Sequence, residues 1–120
     1  FVNDSKATNN ASALKALENF KNIHWIVGGI EKYPGIKSLI PIHQNVKGIY
    51  LIGSSEESFS ATLGKIDHVK CQSLETAVKV ALRRSEKGDT ILLAPACSSF
   101  DQFRSFEERG DKFIELFNKM

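Results

Sequence analysis

Apolar runs of strand length recur at Ile23–Val27, Ile49–Ile52 and Ile91–Ala94, each rich in Ile, Val or Leu and each closed by Gly or Pro. Runs this short, ended by turn residues, predict strands buried on both faces. Shorter strands are predicted at Phe1–Val2 and Ile66–Val69. The segments between them change to helical spacing. Leu74, Ala77, Val78, Ala81 and Leu82 form an i, i+3, i+4, i+7, i+8 stripe. Ser73 is placed to cap its start, Arg83, Arg84 and Lys87 suit the negative end of its dipole, and Gly88 can take a left-handed stop. Ala13, Ala16, Leu17 and Phe20 make a similar stripe, Phe106, Phe113, Ile114 and Phe117 another, and Ser55–Gly64 reads as a further helix.

Strand and helix thus exchange about every 10 to 15 residues, which predicts βαβ units. The expected fold class is α/β and Rossmann-like, a mostly parallel sheet with helices on both faces. Ligands of such sheets bind outside the carboxyl ends of the strands. Three loops therefore draw attention: Asn3–Asn9, Gly28–Gly35 and Pro95–Phe106.

Composition narrows the function. A chain of 120 residues can bury one core, and a single domain covering residues 1–120 is expected. It opens on Phe1 and Val2 as if entering a strand directly, so further domains on a longer chain are expected. Hydrophobic residues at 42% and charged residues at 25% suit a soluble domain with no membrane span. Sixteen basic and fourteen acidic residues are scattered, which argues against nucleic acid as a partner. Cys71 and Cys97 fit neither a CxxC nor a zinc-ligand spacing, so no metal site is expected and a reducing cytoplasm fits best.

Each loop admits a chemical and a structural reading. Asp4-Ser5-Lys6-Ala7-Thr8-Asn9 sets a carboxylate, an ammonium and a hydroxyl between a strand end and a helix start, a setting that suits anions. The same residues also make an ordinary capped turn. Gly28-Gly29 permits close backbone approach or positive φ, and the loop fits neither GxGxxG nor a Walker pattern. Lys32 there is either an anion contact or a solvated surface charge. The third loop, with Cys97, Ser98, Ser99, Phe100, Asp101 and Phe103, gathers small residues, hydroxyls and aromatics that suit a carboxylate guest. Ser99 or Cys97 as a nucleophile would need a base, and nothing in the sequence brings His24, His43 or His68 to this loop. The histidines read as structural or surface residues, and Cys97 as a small packed side chain.

Taken together and in order, Asn3-Asp4-Ser5-Lys6-Ala7-Thr8-Asn9, Gly28-Gly29 with Lys32, and Pro95-Ala96-Cys97-Ser98-Ser99-Phe100-Asp101-Gln102-Phe103 resemble the C-terminal domain of the Mur ligases, most closely the D-glutamate-adding branch. Phe106-Glu107-Glu108-Arg109-Gly110 continues the match. The resemblance implies an ATP-dependent ligase of bacterial peptidoglycan synthesis, cytoplasmic and monomeric, that joins D-glutamate to UDP-N-acetylmuramoyl-L-alanine through an acyl phosphate. ATP and Mg2+ would be held mainly by a central domain and the UDP moiety by an N-terminal one, both upstream of this segment. It further implies that Thr8 and Lys32 contact the α-carboxylate of D-glutamate and that Ser99, with the backbone near Phe106, contacts its side-chain carboxylate. Phe100 would shape the pocket, Asp4 would meet the nucleotide, and Lys6 would face the phosphates or the reacting acyl group. Two readings of other classes stand beside it, a free-standing small-molecule binding module and a small hydrolase using Ser99 or Cys97.

Overall fold

The structure, a computed structural model, describes residues 2–3, 13, 15, 17–29, 45–93 and 105–119. Its strands are β1 (Val2–Asn3), β2 (Ile23–Gly28), β3 (Val46–Ile52), β4 (Val69–Gln72) and β5 (Thr90–Leu93). Its helices are α1 (Glu56–Leu63), α2 (Leu74–Arg84) and α3 (Phe106–Lys119). Ala13, Lys15, Leu17 and Glu18 are also helical. The strands form one sheet in the order β1-β5-β2-β3-β4, and every pairing is parallel.

Side chains of alternate parity leave opposite faces of a strand, and the core divides accordingly. Ile23, Trp25 and Val27 of β2 join Ile49 and Leu51 of β3 against Ala13, Leu17, Phe59 and Leu63 on one face. Ile26, Tyr50, Ile52, Ile91 and Leu93 meet Leu74, Ala77, Val78, Phe113 and Leu116 on the other. Helices therefore cover both faces, as the alternation of elements predicts. The steps from β1 to β2 and from β3 to β4 cross the sheet in one direction and carry their helices on the first face. The step from β4 back to β5 runs the other way and carries α2 on the second, as a constant crossover hand requires.

Several local expectations change. The strand expected at Ile66–Val69 begins only at Val69 and runs to Gln72. Ile66 instead closes a turn, its N–H donating to the Leu63 carbonyl, while its own carbonyl accepts from the His68 ring. Ser73 caps α2 as expected, its hydroxyl accepting from the Thr76 N–H at 3.2 Å. Gly88, however, is not the helix stop. The helix ends at Ser85, whose N–H donates to Ala81, and Gly88 (φ 94°) turns the chain within Glu86–Asp89. On α3 the expected Ile114 is 40% exposed, while Leu116 is buried and the stripe runs through Arg109, Phe113 and Leu116. Arg109 extends the apolar stripe because it is itself only 1% exposed.

Candidate functional site

The three loops of interest grow from three neighbouring strands. Asn3, the last residue of β1, is in register with Leu93, the last of β5. Leu93 is in turn in register with Ile26, and β2 continues to Gly28. Neighbouring strands lie about 4.8 Å apart and each residue adds about 3.3 Å along a strand, so the roots of all three loops fall within roughly 12 Å of one another along the same carboxyl edge. After β1 the chain passes to the face carrying Ala13 and Leu17, and after β5 to the face carrying α3. Loops that part to opposite faces leave a crevice between their strands, the switch point where ligands of open α/β sheets bind. Here it lies between β1 and β5.

Asp4, Lys6, Thr8, Lys32, Ser99 and Phe100 lie outside the described residues, and Phe106 is described as the first residue of α3 in its backbone alone. What the structure establishes is the scaffold from which these residues depart.

The second loop starts on a fixed root. Gly28 has φ 138°, and a Cβ there would stand 2.0 Å from the Ile52 carbonyl oxygen. Only glycine fits, because β2 and β3 approach backbone to backbone at this point. Gly29 follows with φ 140° and is bound on both sides of its peptide plane. Its N–H donates to Ser55 Oγ at 3.2 Å, and its carbonyl accepts from the Ser55 N–H at 3.0 Å and from Ser54 Oγ at 3.2 Å. Ser55 is 2% exposed and begins α1. Ser54 and Ser55 hold this root, and a hydroxyl pair following a buried strand was the available sequence signal.

The third loop delivers the chain into α3 through a cap. Ser105 Oγ accepts from the Glu108 N–H at 3.2 Å, and the Ser105 carbonyl accepts from the Arg109 N–H. The pattern Ser105-Phe106-Glu107-Glu108 has the spacing of a capping box and marks this start in the sequence. The bond fixes the start of the helix, of which Phe106 is the first residue. Glu107 and Glu108 in the first turn complement the positive end of the helix dipole.

A second polar cluster lies at the opposite, amino-terminal edge. His24 Nε2 lies 2.9 Å from Asp89 Oδ2, and His24 Nδ1 lies 2.8 Å from the Tyr50 hydroxyl. Lys47 donates to both Asp89 oxygens at 3.1 and 3.0 Å. The Glu86 N–H, the His24 ring and Lys47 hold the Asp89 carboxyl well below the usual carboxylate range. Asp89 in return raises Lys47. Burial raises the Tyr50 phenol and pushes the Cys71 thiol up to about 11, which makes Cys71 a packed thiol and a poor nucleophile. His68, which precedes β4, accepts from Ser60 through Nε2 at 2.7 Å and donates through Nδ1 to the Ile66 carbonyl. Both described histidines thus sit at the edge away from the crevice and are held by structural bonds, as the sequence suggests. His43 and Cys97 lie outside the described residues.

Among the described residues no three His, Cys, Asp or Glu side chains gather as a metal site, and no helix is long and apolar enough to cross a membrane.

Comparison with known proteins agrees with this layout. A family model described as "Mur ligase, glutamate ligase domain" matches residues 1–97. A UDP-N-acetylmuramoylalanine–D-glutamate ligase of Wolbachia sp. subsp. Brugia malayi is 49% identical across all of this chain, which covers 25% of that protein. A protein of the same name from Dinoroseobacter shibae is 50% identical over 95% of this chain and 25% of its own length. One from Rickettsia bellii is 44% identical over 100% of this chain and 28% of its own. The chain therefore spans about a quarter of the length of the curated relatives it matches.

Proposed function

The chain belongs to the Mur ligase family, and from that premise we propose that it is the domain of a bacterial cytoplasmic ligase that presents D-glutamate and closes on ATP. The complete enzyme joins the amine of D-glutamate to the carboxyl of UDP-N-acetylmuramoyl-L-alanine. The observation that carries this reading is the carboxyl edge, where β1, β5 and β2 stand side by side and release the three loops with the family's motifs. A substrate with two carboxylates needs two separate sets of donors, and loops leaving one sheet edge can supply them.

In this reading Thr8 and Lys32 bind the α-carboxylate, while Ser99 and the backbone at Phe106 bind the side-chain carboxylate. Phe100 closes the apolar side of the pocket. Asp4 accepts from the nucleotide, and Lys6 neutralises charge on the phosphates and on the acyl group under attack. ATP supplies the phosphoryl group that activates the carboxyl of UDP-N-acetylmuramoyl-L-alanine. The parallel edge with its crevice between β1 and β5 suits such an anion. In this reading Mg2+ is held mainly by another domain of the full chain, and no step here is assigned to it. The domain's contribution is positioning and electrostatic complementarity, which together supply most of the rate in such a transfer. The amine attacks the activated carbonyl, phosphate leaves from the tetrahedral adduct, and the amine proton passes to solvent or phosphate.

The test is turnover by the complete gene product with ATP, UDP-N-acetylmuramoyl-L-alanine and D-glutamate, followed by phosphate release and product mass. Stoichiometric amide and phosphate are expected with D-glutamate and not with L-glutamate. Preference for another amino acid, or ATP turnover without amide, would refute the assignment.

A further inference from the structure

A serine at the start of a helix ordinarily turns its hydroxyl oxygen back on a free N–H of its own first turn. Ser73 does so on α2, accepting from the Thr76 N–H. Ser55 holds the same position on α1 and does not. Its side chain makes no capping bond to its own helix, and its Oγ accepts instead from the Gly29 N–H at the end of β2. The Ser55 N–H returns a bond to the Gly29 carbonyl, and Ser54 Oγ adds another. An eight-residue helix thus forgoes its cap, although short helices have little stability of their own. Glu56 shows the same outward turn: its Oε2 accepts from the Gln72 N–H at 2.6 Å, while the Gly53 N–H donates to the Gln72 carbonyl at 3.0 Å. Gln72 ends β4 with φ 65°, a strained conformation for a residue with a side chain. Residues 53–56 therefore clasp the ends of β2 and β4 from the strand between them. Polar groups suited to the helix serve the neighbouring strands, a local compromise of the kind found where position matters to function.

We propose that Ser55 is a positioning residue: with its hydroxyl on Gly29 it fixes the direction in which the chain leaves β2 for the second loop. That loop carries Lys32, three positions beyond Gly29. The consequence for D-glutamate therefore rests on the proposed function, while the anchoring of Gly29 does not.

The experiment compares Ser55→Ala with Ser73→Ala in the complete gene product. Thermal midpoints, steady-state constants and hydrogen exchange of the peptide containing Gly29 are read from the same preparations. Both variants lower the midpoint by a few degrees, since each loses a hydrogen bond at a helix start. Ser55→Ala alone speeds exchange at Gly29 about tenfold, raises KM for D-glutamate about tenfold and leaves KM for ATP within about twofold. Ser55→Thr, which keeps the hydroxyl, restores both the exchange and the constant. Ser54→Ala changes an exposed side chain and keeps the test readable even if Ser55→Ala does not fold; it moves KM for D-glutamate the same way by about threefold. Unchanged exchange at Gly29 in Ser55→Ala, or in Ser54→Ala should the first not fold, overturns the anchoring. Faster exchange with every substrate constant unchanged, or all shifted alike, overturns the positioning role and leaves Ser55 a structural residue. A parent enzyme that does not turn over D-glutamate counts against the ligase reading, and exchange at Gly29 then decides the anchoring by itself.

Discussion

At the amino edge of the sheet, polar side chains bond to one another; at the carboxyl edge, the described bonds fix the backbone at the points from which the loops leave. His24, Tyr50, Asp89 and Lys47 close a network in which each group answers another. Across the sheet, Gly28, Gly29, Ser54, Ser55 and Ser105 tie down only the points from which the chain leaves. On the proposed function, the difference separates stability from function by location. A lesion at the first edge should be read in folding with little effect on substrate constants. A lesion in the loops of the second should be read in substrate constants with little effect on folding.

The sharpest way to break that separation is Gly28→Ala, because Gly28 is a folding residue at the functional edge. The added methyl meets the Ile52 carbonyl and φ is positive, so a loss of about 3 kcal/mol or more is expected in urea unfolding. A loss under about 1 kcal/mol would show that the two strands can separate there without cost. Ser99→Ala or Lys32→Ala in the complete enzyme should raise KM for D-glutamate by ~1.5 to 3 kcal/mol in binding terms, with an unchanged unfolding midpoint. Normal kinetics would remove the substituted residue from the site. At the other edge, Tyr50→Phe removes the hydroxyl that meets His24 and should cost about 1 kcal/mol of stability with substrate constants intact. Any change in KM would show that the two edges communicate.

The smallest effect expected is on the pH profile. The folded Asp89 carboxyl is held below its ordinary 3.8, so its contribution is complete above that value and is lost as pH falls. Cys71 is raised from 9.0 to about 11 and Tyr50 is raised above 10.0. The unfolded chain therefore gives up these protons first, and stability is complete below pH 9.0 and declines as pH rises toward about 11. Thermal midpoints across this range should show the decline, and Cys71→Ala should delay its onset. A flat alkaline limb in the parent protein would contradict the burial assigned to both groups.

The elements visible in the sequence were those whose burial leaves a local pattern. β2, β3 and β5 are continuous apolar runs because both faces are covered, and α2 repeats its stripe within eleven residues. β4 was misplaced because Val69–Gln72 buries only Cys71 and resembles a turn, whereas Ile66 beside it carries the stronger apolar signal. Pairings between distant residues left no local trace. His24 and Asp89 are 65 positions apart, and a charged Arg109 on an apolar stripe reads in sequence as a solvated helix residue. The strand order was hidden for the same reason, since the return of β5 to lie between β1 and β2 is decided by crossovers. For the candidate site, the motifs marked which loops to watch and the sheet shows that their roots are neighbours. The roles of the side chains they carry rest on the family relationship.

Gly29 has a chemical consequence for anything designed to occupy this edge. Both polar atoms of its main chain are already committed to the mouth of α1, so its amide has no hydrogen left to offer a phosphate. An inhibitor built to place an anionic group against Gly29 would find that amide already bonded, and on the proposed function its acid groups are better directed at cationic and hydroxyl side chains farther along the loops.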